Sequence, residues 1–151
     1  MRLEPLLKPE FVLILPRSRD REEVLRDLAR RAAAVLPRTT SDSIYLALLE
    51  RERRRATSTP EGVAFPHAVL DSIDRTLLFV ALLRPGVSFS GQSCDVVFAL
   101  FGHSSAPMDH VRLLARLARL ARAEGALERL RAAETESALY QTLLTEDRTQ
   151  M

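Results

Sequence analysis

The chain has 151 residues, of which 46% are hydrophobic and 28% charged, with a formal net charge of +2. That length suits one domain with its own core, and the composition excludes a disordered chain. The longest apolar run, residues 77–83, is far short of the ~20 residues of a membrane span, and the arginines alternate with acids instead of forming a basic stripe; neither an integral membrane segment nor nucleic-acid binding is expected.

At the N-terminus, Arg2, Glu4, Pro5, Lys8 and Pro9 interrupt any apolar stretch, so no export signal is read there. Residues 11–15 form an apolar run closed by Pro16 and predict a buried strand. Residues 20–36 predict an amphipathic helix with Val24, Leu25, Leu28, Ala32, Val35 and Leu36 on one face and Pro37 as its stop. A second helix is expected to start after Ser41 as N-cap and to run through Ile44, Leu46, Leu48 and Leu49 into the charged run 50–55. A polar loop follows over residues 56–62, with Pro60 and Gly62 as breakers.

Val63-Ala64-Phe65 then reads as a short strand ending at Pro66-His67. Residues 76–83 and 96–101 predict two further buried strands, separated by a turn-rich segment over 84–95. Helical spacing returns over 107–122, where Val111, Leu114, Leu117, Ala118 and Ala121 share a face widened by Leu113 and Leu120. Two short helices are expected near 125–132 and 135–144. No linker or repeat divides the chain, so it reads as a single domain over residues 1–151 with its core at about 11–145. The element order predicts a mixed α/β domain, a sheet covered by helices on both faces.

Chemistry-bearing residues are few. The lone Cys94 cannot pair within the chain; it suits a reducing cytoplasm, the expected location, and reads as a small core or loop residue. Three histidines occur, His67, His103 and His110. Pro66 fixes its own φ and holds the preceding residue extended, so the His67 imidazole is carried by a stiff backbone, as a repeatedly used nucleophile requires; a plain strand-end histidine is the competing reading. His110 falls in the first turn of the 107–122 helix, where free N–H groups and the positive helix end favour an anion, although a first-turn polar residue also simply faces water. His103 lies in a loop without a motif and is expected at the surface. Six residues separate His103 from His110, which fits no usual zinc spacing, and no GK[ST] phosphate loop or G-x-S-x-G elbow occurs. No metal and no cofactor are therefore expected.

Two strings go further than this. Ala47-Leu48-Leu49-Glu50-Arg51-Glu52, a loop, and Gly62-Val63-Ala64-Phe65-Pro66-His67 together resemble the IIA domains of the fructose/mannitol class of the bacterial sugar phosphotransferase system, which includes the nitrogen-regulatory IIA proteins. His110-Val111-Arg112-Leu113-Leu114-Ala115-Arg116-Leu117 is similar to that family's second signature. The resemblance extends over about residues 11–145 and implies a three-layer α/β/α sandwich with a mixed central sheet. It also implies a phosphotransferase-type phosphocarrier in which His67 accepts a phosphoryl group from an HPr-like phosphocarrier, Arg51 steadies the phosphate and His110 supports the phosphorylated ring. A IIB domain or a regulatory target would be the partner.

The sequence departs from the family pattern at two places. Ala68 stands where glycine usually follows the histidine, and Thr57-Ser58-Thr59-Pro60-Glu61 lacks the usual glycines and brings in a carboxylate. Two functions are thus open: a phosphohistidine carrier or regulator, and a non-catalytic regulatory module that keeps the fold for partner contacts.

Overall fold

The alternation of side chains along the two longest strands decides the architecture of the protein, whose computed structural model describes residues 1–150. Strand β4 is preceded by β1 (Val12–Pro16), β2 (Val63–Ala64) and β3 (His67–Val69); β4 itself spans Leu77–Phe89 and β5 spans Gln92–Gly102. The order in the sheet is β1-β4-β5-β2, with β3 also paired to β5. β4 and β5 are antiparallel, whereas β1 on β4 and both β2 and β3 on β5 are parallel.

Successive side chains on a strand point to opposite faces, and here both faces are apolar. Phe79, Ala81, Leu83, Val97, Ala99 and Phe101 pack on one side with Val24, Leu25, Leu28, Ile44 and Leu48, which belong to α1 (Arg21–Ala33) and α2 (Ser41–Arg54). Leu78, Val80, Leu82, Val96, Phe98 and Leu100 pack on the other with Leu113, Leu117, Leu120, Leu130 and Leu143, from α3 (Pro107–Arg122), α4 (Ala126–Arg131) and α5 (Glu136–Thr149). A strand buried on both faces reads as a continuous apolar run. The expected three-layer α/β/α sandwich with a mixed sheet is the observed fold.

Several local expectations are corrected. Residues 84–95 are no turn-rich loop: both strands continue to a tight tip at Ser90-Gly91, where φ is positive at both residues. Pro85 and Gly86 sit in an irregularity that shifts the register between Leu82 and Val87, after which pairing resumes at Val87 with Cys94. Proline and glycine suggested an interruption, yet a bulge accommodates both inside a strand. Thr40, and not Ser41, caps α2, its side chain accepting the Ser43 N–H. On α3 the buried line is Leu113, Leu117 and Leu120, while Val111 is 54% exposed. Helix α5 runs well past residue 144. Its last turn supplies Asp147, a fully buried carboxylate that accepts the N–H groups of Leu3 and Glu4 and the Nε–H of Arg116, each at 3.0 Å; the N-terminal segment is thereby clasped to α3 and α5.

Cys94 is buried, and desolvation pushes its thiol up to about 11, so it is a core residue and no thiolate nucleophile. Among the described residues, no helix is long and apolar enough to cross a membrane.

Candidate functional site

Ile44, Leu48 and Glu52 recur every four residues and form the buried line of α2. That fixes Arg51, one residue earlier, at the rim of the helix facing β3. Its Nη1 donates to the Arg55 carbonyl at 2.6 Å, which holds the guanidinium across the end of the helix, and its Nε–H reaches His67 Nε2 at 3.0 Å.

The loop after α2 is shaped by hydroxyls in place of the missing glycines. Ser58 Oγ donates to the Phe89 carbonyl at 2.9 Å, and the Thr59 N–H donates to the Val63 carbonyl at 2.8 Å. The one glycine kept is where it is needed. Gly62 has φ +88°, and a Cβ there would lie 2.9 Å from Arg131 Nη2 and 3.3 Å from Asp95 Oδ1, which are themselves ion-paired at 3.0 Å. Glu61 is exposed, its carbonyl accepts from Arg131, and its side chain lines neither cleft beside His67.

His67 does not end the strand, as its sequence context suggested. Pro66 only interrupts it: β2 and β3 are two pieces on the same neighbour, and His67 opens the second, opposite Leu100. Both ring nitrogens are engaged, Nδ1 with the Phe65 carbonyl at 3.0 Å and Nε2 with Arg51. A carbonyl can only accept and a guanidinium can only donate, so the two contacts assign one tautomer, with the proton on Nδ1 and a lone pair on Nε2. Burial is the main cause that lowers the His67 pKa; the Phe65 bond opposes it and Arg51 adds to it. The ring is neutral at pH 7.

His110, in the first turn of α3, lies beside it with ring centroids 4.8 Å apart and planes tilted by 59°. Burial, then the proximity of His67 and Arg51, lowers its pKa to about 4. Its Nε2 is buried without a hydrogen-bond partner. Two small clefts meet at this cluster. One of about 250 Å³ is lined by Arg51, Thr57, Phe65, His67, Leu114 and Ala118, and one of about 380 Å³ is bounded by Arg51, Arg54, His67, Leu70 and His110. Val69, Met108 and Val111 are exposed apolar side chains on the elements that carry the two histidines.

The structure thus brings together all three expected site residues, His67, Arg51 and His110. His103 stays apart, half-buried in its own loop with Nδ1 accepting the Ser105 N–H at 3.0 Å. Ala68, 2% exposed, packs in the core on the α1–α2 side and also borders the cleft that holds His67 and His110. Two residues of the site carried no role in the sequence reading, Glu52 and Thr57. For the first, two signals were available: its place beside Arg51 in the string 47–52, and the spacing Ile44, Leu48, Glu52.

The chain matches the family model described as phosphoenolpyruvate-dependent sugar phosphotransferase system, EIIA 2, over residues 5–146. It is 34% identical over 146 residues to a nitrogen regulatory protein of Bradyrhizobium diazoefficiens, with 95% of each chain covered. The nitrogen regulatory protein IIA-Ntr of Neisseria meningitidis has the same fold, with a TM-score of 0.84 over 93% of this chain and 98% of that one at 17% identity. So does the Escherichia coli enzyme IIAMTL in its complex with phosphorylated enzyme IIBMTL, with a TM-score of 0.76 over 92% and 97% at 19% identity. With a match over nearly all of its length and a relative at this identity, the chain belongs to the EIIA type 2 family of the phosphoenolpyruvate-dependent sugar phosphotransferase system.

Proposed function

We propose that this protein is a phosphohistidine carrier with a regulatory role, taking a phosphoryl group on His67 Nε2 from an HPr-like phosphocarrier in the cytoplasm. The observation that carries this reading is the state of the His67 ring: neutral, with the unprotonated nitrogen, Nε2, at a cleft and accepting a hydrogen bond from Arg51.

Phosphoryl transfer asks for in-line placement and for positive charge around the moving group. The Nε2 lone pair attacks the donor's phosphorus as the donor's own N–P bond breaks, and the donor imidazole leaves with that electron pair. No proton has to move from His67, because Nδ1 already holds it. The ring becomes cationic once Nε2 is substituted, and the Phe65 carbonyl stabilises the Nδ1–H end of that cation. Arg51 stands beside the attacking atom and supplies planar donors for phosphoryl oxygens. The unpartnered Nε2 of His110 is the natural further contact for the phosphorylated ring.

The receiving partner is a IIB domain or a regulatory target, and the exposed Val69, Met108 and Val111 offer it an apolar rim. The nitrogen-regulatory names of its relatives favour regulation as the output. A binding module without phosphotransfer is not favoured, since the nucleophile, guanidinium and second imidazole all lie within reach of one another. The test is incubation with enzyme I, HPr and phosphoenolpyruvate from the same organism. An acid-labile mass increase of ~80 Da, the size of one phosphoryl group, is expected, and it should vanish in His67→Ala. No increase, or one that survives in the variant, overturns the reading.

A further inference from the structure

We infer that Glu52 is a positioning residue for His67, acting through Thr57 and Phe65 to hold the imidazole in the tautomer that leaves Nε2 unprotonated. This rests on the phosphocarrier reading above for its effect on rate, and on geometry alone for its effect on the ring.

Glu52 is 1% exposed, and among the described residues no arginine or lysine pairs with it, an uncommon state for a carboxylate in a run of arginines. A buried carboxylate must be satisfied by hydrogen bonds, and one residue does this for Glu52. Thr57 donates its N–H to one carboxylate oxygen at 3.2 Å and its hydroxyl to the other. With its proton committed to Glu52, the Thr57 oxygen has only lone pairs to offer. It accepts the Phe65 N–H at 3.1 Å, and the same residue's carbonyl accepts the Nδ1–H of His67 at 3.0 Å.

The chain Glu52, Thr57, Phe65, His67 has one consistent direction, set at the end that cannot donate. It clamps Phe65 from the loop side so that its carbonyl stays aimed at Nδ1. That matters because a neutral histidine side chain in water prefers the proton on Nε2, the tautomer that blocks the nucleophile. Arg51 opposes that preference from the Nε2 side, but a guanidinium that must turn to phosphoryl oxygens cannot hold the tautomer throughout the reaction. The Phe65 carbonyl can, and Glu52 with Thr57 keeps it in place.

The experiment compares Thr57→Val, which removes the hydroxyl at nearly constant volume, Thr57→Ser, which restores it, and Glu52→Gln, which removes the charge. Imidazole 15N shifts and Nδ1–H exchange of His67 report the tautomer, circular dichroism reports folding, and phospho-HPr is the phosphoryl donor. In folded Thr57→Val and Glu52→Gln, a mixed tautomer with faster Nδ1–H exchange is expected, and phosphoryl acceptance about tenfold to a hundredfold slower, the scale of a misplaced reacting group. Thr57→Ser should restore both readouts. The inference is overturned if Thr57→Val keeps the wild-type tautomer and exchange, or slows acceptance with the ring unchanged, for that is the mark of a merely structural loop pin. Should the wild type take no phosphoryl group, the phosphocarrier reading fails while the ring measurements still decide this one.

Discussion

The two imidazoles of the site lie 4.8 Å apart yet are held in opposite ways. His67, on the strand side, has both nitrogens bonded and a defined tautomer. His110, on the helix side, has a buried Nε2 with no partner and a pKa lowered to about 4. An unsatisfied buried polar atom costs roughly 1–3 kcal/mol, so the resting site is complete on one side and incomplete on the other. Under the proposed phosphocarrier function, the strand half is set for the incoming reaction and the helix half for the state that follows. On that reading, a phosphoryl group on His67 is the partner expected for the unpaired Nε2 of His110.

Disabling the strand side should have the larger effect. Arg51→Met removes the donor at 3.0 Å from Nε2 and the planar charge for the phosphoryl oxygens together. Phosphoryl acceptance should fall by about a hundredfold, the scale of losing a preorganised electrostatic donor. Arg51→Lys should recover little, because an ammonium cannot reproduce the fork. The rate of ~80 Da mass gain against time checks both, and near-wild-type turnover in Arg51→Met would show that Arg51 plays no part.

Disabling the helix side should act later and less. His110→Leu leaves the His67 tautomer alone but removes the waiting partner. Acceptance should slow only slightly, while the lifetime of phospho-His67 shortens by about tenfold, roughly one charge-assisted hydrogen bond of 1.5 kcal/mol or so. In the wild type, the His110 pKa should rise from about 4 on phosphorylation, since a nearby dianion favours the imidazolium. Titration of both rings by NMR, before and after phosphorylation, checks this. Unchanged His110 titration would remove it from the phosphorylated site.

The same asymmetry predicts a pH dependence of stability. An unfolded chain protonates its histidines near 6.5, whereas the folded protein holds His110 neutral down to about 4 and His67 neutral below its ordinary value. Between those values the unfolded state binds more protons, so stability rises with pH across that window. The histidine contribution is fully present above 6.5 and is lost as pH falls toward 4. Thermal melts should show the transition moving down by a few degrees over this range. In His110→Leu the slope should be smaller, and an equal slope would assign the effect to carboxylates instead.

The fold was legible in the sequence wherever apolar spacing decided it. β4 and β5, the buried faces of α1 and α2, and the start of α3 all follow from runs and periods in residues 11–122. What misled was punctuation: Pro85 and Gly86 read as a turn but sit in a bulge of a long hairpin. The site was legible as three residues, because His67 and Arg51 stand in one motif and His110 in another. Its supporting chain was not. Glu52 stood in the motif string beside Arg51 but with no role of its own, and Thr57 was only part of a loop. Their role depends on which way each hydroxyl and carbonyl points, which only three-dimensional packing fixes. The Asp147 clasp on the N-terminal segment was invisible for the same reason, since it joins residues 144 positions apart.

The smallest expected effect concerns Ala68, the position where the family usually has glycine. In the sequence the alanine directly follows His67. In the fold the residue borders the cleft, but its side chain lies on the other face of the sheet from that of His67, because residues 67 and 68 of a strand alternate. The Ala68 methyl joins the cluster with Leu48 and Phe101, and the backbone pairs with Phe101. Ala68→Gly should therefore loosen the protein without quickening it. Stability should drop by about 1 kcal/mol from backbone freedom and a lost buried methyl, or about 2–4 °C in melting temperature for a chain of this size. Phosphoryl acceptance should stay within about twofold of wild type, since no group near Nε2 has moved. A several-fold gain in rate would mean that the strand relaxes toward the site when the methyl is gone, and that the core face and the reactive face of β3 are coupled. An unchanged rate with a lower melting temperature keeps them separate, with the departure at Ala68 belonging to packing and the chemistry to the residues around His67.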